Sequence, residues 1–149
     1  GDLLASDLNP QAVELLQVNL ARNGVVGLPD GPEPLCEVSP GRFVGIGDAL
    51  TLADEPALAG RFDLLLVNLP HDTLRHLPHL LPLLRRGSTS LVRGWVVAPE
   101  DDIDEINAEL LELLRPLAQG APPPILEQRR AYNVTEWLCR FEGWLELST

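Results

Sequence analysis

Three apolar runs of this chain each end on a polar side chain that could hold a ligand. They are Leu3-Leu4-Ala5-Ser6-Asp7, Phe43-Val44-Gly45-Ile46-Gly47-Asp48 and Leu64-Leu65-Leu66-Val67-Asn68. A carboxylate accepts from two neighbouring hydroxyls, which suits Asp7 to a ribose diol, and Asp48 is placed to accept from an amine such as that of adenine. Asn68 opens an Asn68-Leu69-Pro70 step. Pro70 lacks an N–H, cannot continue a strand ladder, and holds Leu69 extended. Taken alone, each of these polar residues reads more simply as a turn former. Their shared position at strand ends is what points to a ligand, because open α/β sheets bind ligands outside the carboxyl ends of their strands.

The elements that would carry these residues follow from patterning. Asn9-Pro10 supplies an N-cap and a first-turn proline for a helix with Val13, Leu16 and Leu20 on its inner stripe, widened by Ala12 and Leu15. Asn23-Gly24 closes it. Residues 25–41 hold four prolines and three glycines and read as a solvated insertion. Phe43 to Ile46 and Phe62 to Val67 read as strands, the second buried on both faces at Leu64 to Val67. Between them, Thr51 to Leu58 is a short helix or irregular turn. Leu74, Leu77, Leu81 and Leu84 keep helical spacing from His71 to Arg86, with a break or kink expected at Pro78 and a stop at Gly87. Ser90 to Ala98 is a further strand. Pro99 then opens a helix with Ile103, Ile106, Leu110, Leu113 and Leu114 inside, stopped by Pro116. Pro122 to Pro124 form a stiff connector, and Ile125 to Ala131 and Trp137 to Leu147 are paired strands linked through Tyr132-Asn133. Such alternation gives an α/β fold: a parallel sheet with helices on both faces and an antiparallel addition at its end.

Composition bounds the function. With 149 residues, 45% hydrophobic, the chain is expected to form one domain over 1–149. No run is long enough to span a bilayer and no signal-peptide pattern opens the chain, so a cytoplasmic protein without a membrane partner is expected. The sequence starts at Gly1 and contains no Met, as expected of a piece of a longer reading frame. Cys36 and Cys139 match no metal-ligand spacing and are expected to be reduced structural thiols. A net charge of −11 argues against the whole surface being a nucleic-acid platform, but leaves room for a local patch or another domain. The basic residues are all Arg, which reads as genomic base composition. No G-x-G-x-x-G segment occurs.

The segment from Ala5 to Gly24 resembles the stretch after the first motif of class I S-adenosylmethionine-dependent methyltransferases. More narrowly, it is similar to the tRNA guanine-N1 methyltransferases, which modify the purine beside the anticodon, and to the related wybutosine-synthesis transferases. Asp48, the Phe62-Asp63 to Asn68-Leu69-Pro70 stretch and the Arg129-Arg130-Ala131-Tyr132 step continue the likeness over nearly the whole chain. The resemblance implies a Rossmann-like, mostly parallel sheet with an antiparallel C-terminal strand, from which the first strand and its glycine-rich motif are missing. It implies S-adenosyl-L-methionine as cofactor, with Asp7, Asn9, Asp48 and Asn68 as binding residues, Asp7 on the ribose and Asp48 near the adenine. Asn68 and Pro70 would line the place where methyl donor and target base meet. There, carbonyl acceptors fix the ring and positioning supplies much of the rate. The partner would be tRNA, and the general base and tRNA-recognition domain would lie upstream. The activity expected is methyl transfer to guanine N1, by the longer protein rather than by this piece. Two alternatives stand beside it: transfer of the cofactor's aminocarboxypropyl group in the wybutosine pathway, and a non-catalytic remnant serving as an interaction domain.

Other candidates are weaker. His76 and His79 share a helix face, which permits a metal pair but supplies no third ligand. His71 follows Pro70 and reads as a substrate contact or a solvated loop residue. Arg75, Arg85, Arg86 and Arg93 form a basic concentration that could meet RNA phosphates or simply neutralise an acidic surface. Glu100, Asp101, Asp102, Asp104 and Glu105 read as a solvated helix start, and Trp95, Trp137 and Trp144 as core or sheet-face residues.

Overall fold

The computed structural model describes residues 1–118, 122 and 124–148; the expected proline connector lies partly outside them. Among the described residues the order is β1 (Leu3–Asp7), α1 (Pro10–Arg22), β2 (Cys36–Ser39), β3 (Arg42–Ile46), β4 (Leu64–Val67), α2 (Thr73–Leu80), β5 (Thr89–Pro99), α3 (Ile103–Leu114), β6 (Glu127–Ala131) and β7 (Glu136–Glu146). Short 3-10 turns follow β3 at Leu52–Asp54 and flank α2 and α3 at Leu81–Leu83, Glu100–Asp102 and Arg115–Leu117.

The strands form two sheets, ordered β2-β3-β1 and β4-β5-β7-β6. Parallel pairing joins β1 to β3 and β4 to β5, while β2, β6 and β7 pair antiparallel to their neighbours. The expectation of a mostly parallel sheet is therefore corrected. The insertion supplies β2 as an antiparallel edge, and nothing pairs β1 with β4. Residues 25–41 are likewise not wholly loop. Beside β2 the Leu35 N–H donates to the Ile46 carbonyl and the Ile46 N–H to the Glu33 carbonyl, and a Cβ on Gly45 would sit 2.7 Å from that Glu33 oxygen. Gly45, at φ +150°, lets the insertion lie that close.

Alternation along β3 sends neighbouring residues to opposite faces. Phe43 joins the main core with Leu52, Leu58, Leu77, Leu84, Leu110 and Phe141, while Val44 is fully buried outside that cluster, on the α1 side with Val13. On α1 the expected inner stripe holds at Val13, but Leu15 is 67% exposed and buried Gln17 takes a place on the inner face, donating to the Gly31 carbonyl. Helices α2 and α3 pack against each other and against β5. Helix α2 includes Pro78, which cannot donate to the preceding turn, and tightens into the 3-10 turn that starts at Leu81.

Strand β4 begins at Leu64, two residues later than expected, with Phe62 in an isolated bridge to Leu84, and it also departs from expectation at its face. Leu64 is 50% and Leu66 64% exposed, so the strand is not buried on both sides. Its free edge and that of β1 bound a cleft of about 330 Å³, lined by residues 1–4 and 61–66 with Leu83 and Leu84. Arg61 crosses the mouth, its Nε donating to Asp2 at 2.6 Å and its guanidinium lying 4.9 Å over the Phe43 ring. The two sheets are tied at this end by one ion pair and a shared core.

Candidate functional site

The Asn68-Leu69-Pro70 step is held by its backbone. The Leu69 carbonyl accepts from the Asp72 N–H at 2.8 Å, closing a turn with Pro70 at its second position, where the ring sets φ in advance. Beyond the end of β4, the Pro70 carbonyl accepts from the Val97 N–H at 2.8 Å, so the step continues along β5. Buried Thr73 completes the arrangement. Its hydroxyl lies 2.8 Å from the Leu69 carbonyl and 2.7 Å from that of Trp95, bridging the turn and β5. Sequence reading missed Thr73; its only signal was a hydroxyl in the first turn after the proline. Asn68 itself is exposed, and among the described residues its amide has no hydrogen-bond partner. Donor and acceptor both remain available.

Asn68 and Pro70 open onto a cleft of about 410 Å³, lined also by Trp95, Arg129, Arg130, Tyr132 and Leu138. That size falls in the range of roughly 300–1,000 Å³ typical of ligand pockets. Next to it, His71 Nε2 and the Tyr132 hydroxyl are 3.1 Å apart, with the rings edge-to-face at 5.4 Å between centroids. His71 is thus neither a free loop residue nor a lining residue, but the contact that joins the turn to the β6–β7 link. Trp95, read from sequence as core or sheet face, is half-buried and lines the cleft.

The other predicted residues stand at the carboxyl ends of β1 and β3, where each already makes a local bond. Asp7 Oδ1 accepts from the Asn9 N–H at 2.8 Å, Asn9 Oδ1 caps α1 through the Gln11 N–H at 3.0 Å, and Asp48 Oδ1 accepts from the Leu50 N–H at 2.9 Å. Among the described residues each keeps a second polar atom uncommitted: a carboxylate oxygen on Asp7 and Asp48, the amide nitrogen on Asn9. None of the three lines the cleft with Asn68 and Pro70.

Two arginines of the basic concentration read from sequence are paired with carboxylates. Arg85 pairs with Asp63 at 2.7 Å, a bond that holds its pKa above the usual value, and Arg93 Nε donates to Glu142 at 2.7 Å. The arginines at the cleft are instead Arg129 and Arg130. His76 spends Nδ1 on the Asp72 carbonyl at 2.8 Å, and among the described residues no cluster of three metal-ligating side chains forms.

No family model matches the sequence, and no curated protein matches it. Solved structures do. M. jannaschii TYW2 in complex with AdoMet superposes with a TM-score of 0.67 at 14% identity, over 98% of this chain and 58% of that one. The fold is shared with TYW2. The Pyrococcus horikoshii protein PH0793, named as a candidate transferase, matches with a TM-score of 0.63 at 13% identity, over 99% of this chain and 50% of that one. The chain therefore spans only about half the length of these structures, and the resemblance read from its sequence agrees with their fold.

Proposed function

We propose that this chain is the larger part of the cofactor-binding and transfer domain of an S-adenosylmethionine-dependent enzyme that modifies a purine of tRNA. The observation that carries the reading is the Asn68 corner. A proline-fixed turn, locked to β5 by Thr73, presents an uncommitted amide at the carboxyl edge of β4, in a fold shared with an AdoMet-bound protein. Asn68 and the carbonyls around it would hold the acceptor ring. The free oxygen of Asp7 would accept from the cofactor ribose, Asn9 would support that end, and Asp48 would lie at the adenine. The cofactor supplies the group to be transferred and its own leaving group when bound. What these residues contribute is orientation.

The cleft between β1 and β4 supports the remainder of the fold reading. Both strands present a free edge with apolar flanks, and each runs parallel to its one sheet neighbour, β1 to β3 and β4 to β5. A single apolar strand from upstream of Gly1, parallel to both, would merge the two sheets and bring the missing cofactor loop with it.

Within the transferase reading, the Asn68-Leu69-Pro70 step supports methyl transfer to guanine N1. Aminocarboxypropyl transfer is the second reading, favoured by the match to TYW2. Calorimetric titration of the longer protein with S-adenosylhomocysteine tests the proposal: binding is expected in the parent and should be largely lost in Asp7→Ala. Unchanged affinity in that variant would remove Asp7 from the cofactor site.

A further inference from the structure

The cleft beside Asn68 has a wall whose role nothing above assigns. Arg129 and Arg130 are neighbours in β6, and on a regular strand their side chains would point to opposite faces. Across the ladder, however, Gln128 opposes Cys139 and Arg130 opposes Leu138, leaving Arg129 as the extra residue of a β-bulge. A bulge breaks alternation and re-aims side chains. Both arginines consequently line one cleft, together with Tyr132, Trp95 and Asn68. Arg129 reaches only Glu127, at 3.4 Å, a carboxylate already held by Arg140 at 3.0 Å, and Arg130 has no carboxylate partner among the described residues.

The aromatic side is equally ordered. Asn133 Oδ1 accepts from the N–H groups of Thr135 and Glu136 at 2.9 Å each, and the Tyr132 N–H donates to the Glu136 carbonyl at 2.8 Å. That closes the β6–β7 link and fixes the backbone of Tyr132, whose hydroxyl is held by His71. In a chain of net charge −11, two arginines lining an aromatic and amide-lined cleft suit a flat ring carrying phosphate. Arginine forks match phosphate oxygens, and aromatic faces stack bases.

We infer that this bulged hairpin seats the acceptor nucleotide: the base stacks on Tyr132 within reach of the Asn68 amide, and the flanking phosphates lie on Arg129 and Arg130. Calling that nucleotide the acceptor rests on the transferase reading; the seat itself rests on the hairpin. His71 is a positioning residue, acting through Tyr132.

The test is fluorescence anisotropy of the longer protein with a fluorescein-labelled RNA hairpin bearing a purine on the 3′ side of its loop. Arg129→Gln/Arg130→Gln should weaken binding and flatten its salt dependence by roughly 0.7 in the log–log slope for each phosphate contact removed. Tyr132→Ala should lose roughly 5- to 150-fold in affinity, the range of one base–aromatic stack, while Tyr132→Phe should keep most of it. S-adenosylhomocysteine affinity, and cofactor-independent melting, should stay at parent values in the arginine variants. No hairpin binding by the parent, or unchanged affinity and slope in both the arginine and Tyr132→Ala variants, would overturn the seat, even with cofactor binding intact. Hairpin binding that depends on these residues in a protein that binds no S-adenosylhomocysteine would uphold the seat and sink the transferase reading instead.

Discussion

At the scale of single residues, the site is a problem of holding Asn68 still while leaving its amide free. Pro70 sets the turn, but Thr73 holds it in place, its buried hydroxyl within hydrogen-bond distance of carbonyls on both sides of the β4–β5 junction. Thr73→Val keeps the shape and deletes the hydroxyl. It should cost about 1–2 kcal/mol in urea unfolding and lower turnover by loosening Asn68, with little change in cofactor affinity. A variant as stable and active as the parent would show that the turn stands without Thr73. Asn68→Ala should lower turnover more than cofactor affinity, and the reverse pattern would move Asn68 out of the transfer site. The two cysteines differ as their surroundings do: Cys36 is exposed, whereas Cys139 is buried and its thiol is pushed up by desolvation. Thiol reagents should modify Cys36 in the native protein and reach Cys139 only on unfolding. Much of this scale was legible in sequence, because Asn-x-Pro and Asn-Pro act through local backbone constraints. Thr73, and the partnership of His71 with Tyr132 across 61 positions, were not, since each depends on what tertiary packing brings nearby.

At the scale of elements, sequence reading located most of them because their signals are periodic and their stops are prolines and glycines. It failed where an element exists only through its partner. Strand β2 lies in a proline- and glycine-rich insertion and is extended because β3, opened by Gly45, accepts it. The bulge in β6 depends on the register against β7 and leaves no mark in composition. Strand β4 was read as buried on both faces from its run of leucines, yet Leu64 and Leu66 are half or more exposed on a free edge. Those leucines make sense as the wall of a slot. If an upstream strand fills it, the amides of β1 and β4 that face the slot, not those already paired with β3 and β5, should exchange slowly in the longer protein and fast in the 149-residue chain. Equal, fast exchange in both would leave the slot empty.

At the scale of the whole molecule, two sheets share one core but are not joined by a ladder, and the Arg61–Asp2 pair ties them at the slot's mouth. The Arg61 hydrogen bond holds the Asp2 carboxyl below its ordinary value of 3.8. Because the folded value is depressed, the contribution is complete above that ordinary value and is lost as pH falls through the folded one. Asp2→Asn should therefore lower stability slightly in the neutral and basic range, as befits an exposed pair, and converge with the parent in acid, flattening this limb of the stability curve. An acid limb identical to the parent's would show that the tie does not matter to folding. The site proposed here is assembled from strand ends on both sheets. The most direct test is nucleoside mass analysis of tRNA incubated with the longer protein and S-adenosylmethionine. The account expects one purine to gain the transferred group, methyl or aminocarboxypropyl, and Asn68→Ala to abolish the gain while retaining cofactor binding. Cofactor binding with no modified nucleoside in the parent, or equal modification by Asn68→Ala, would contradict it.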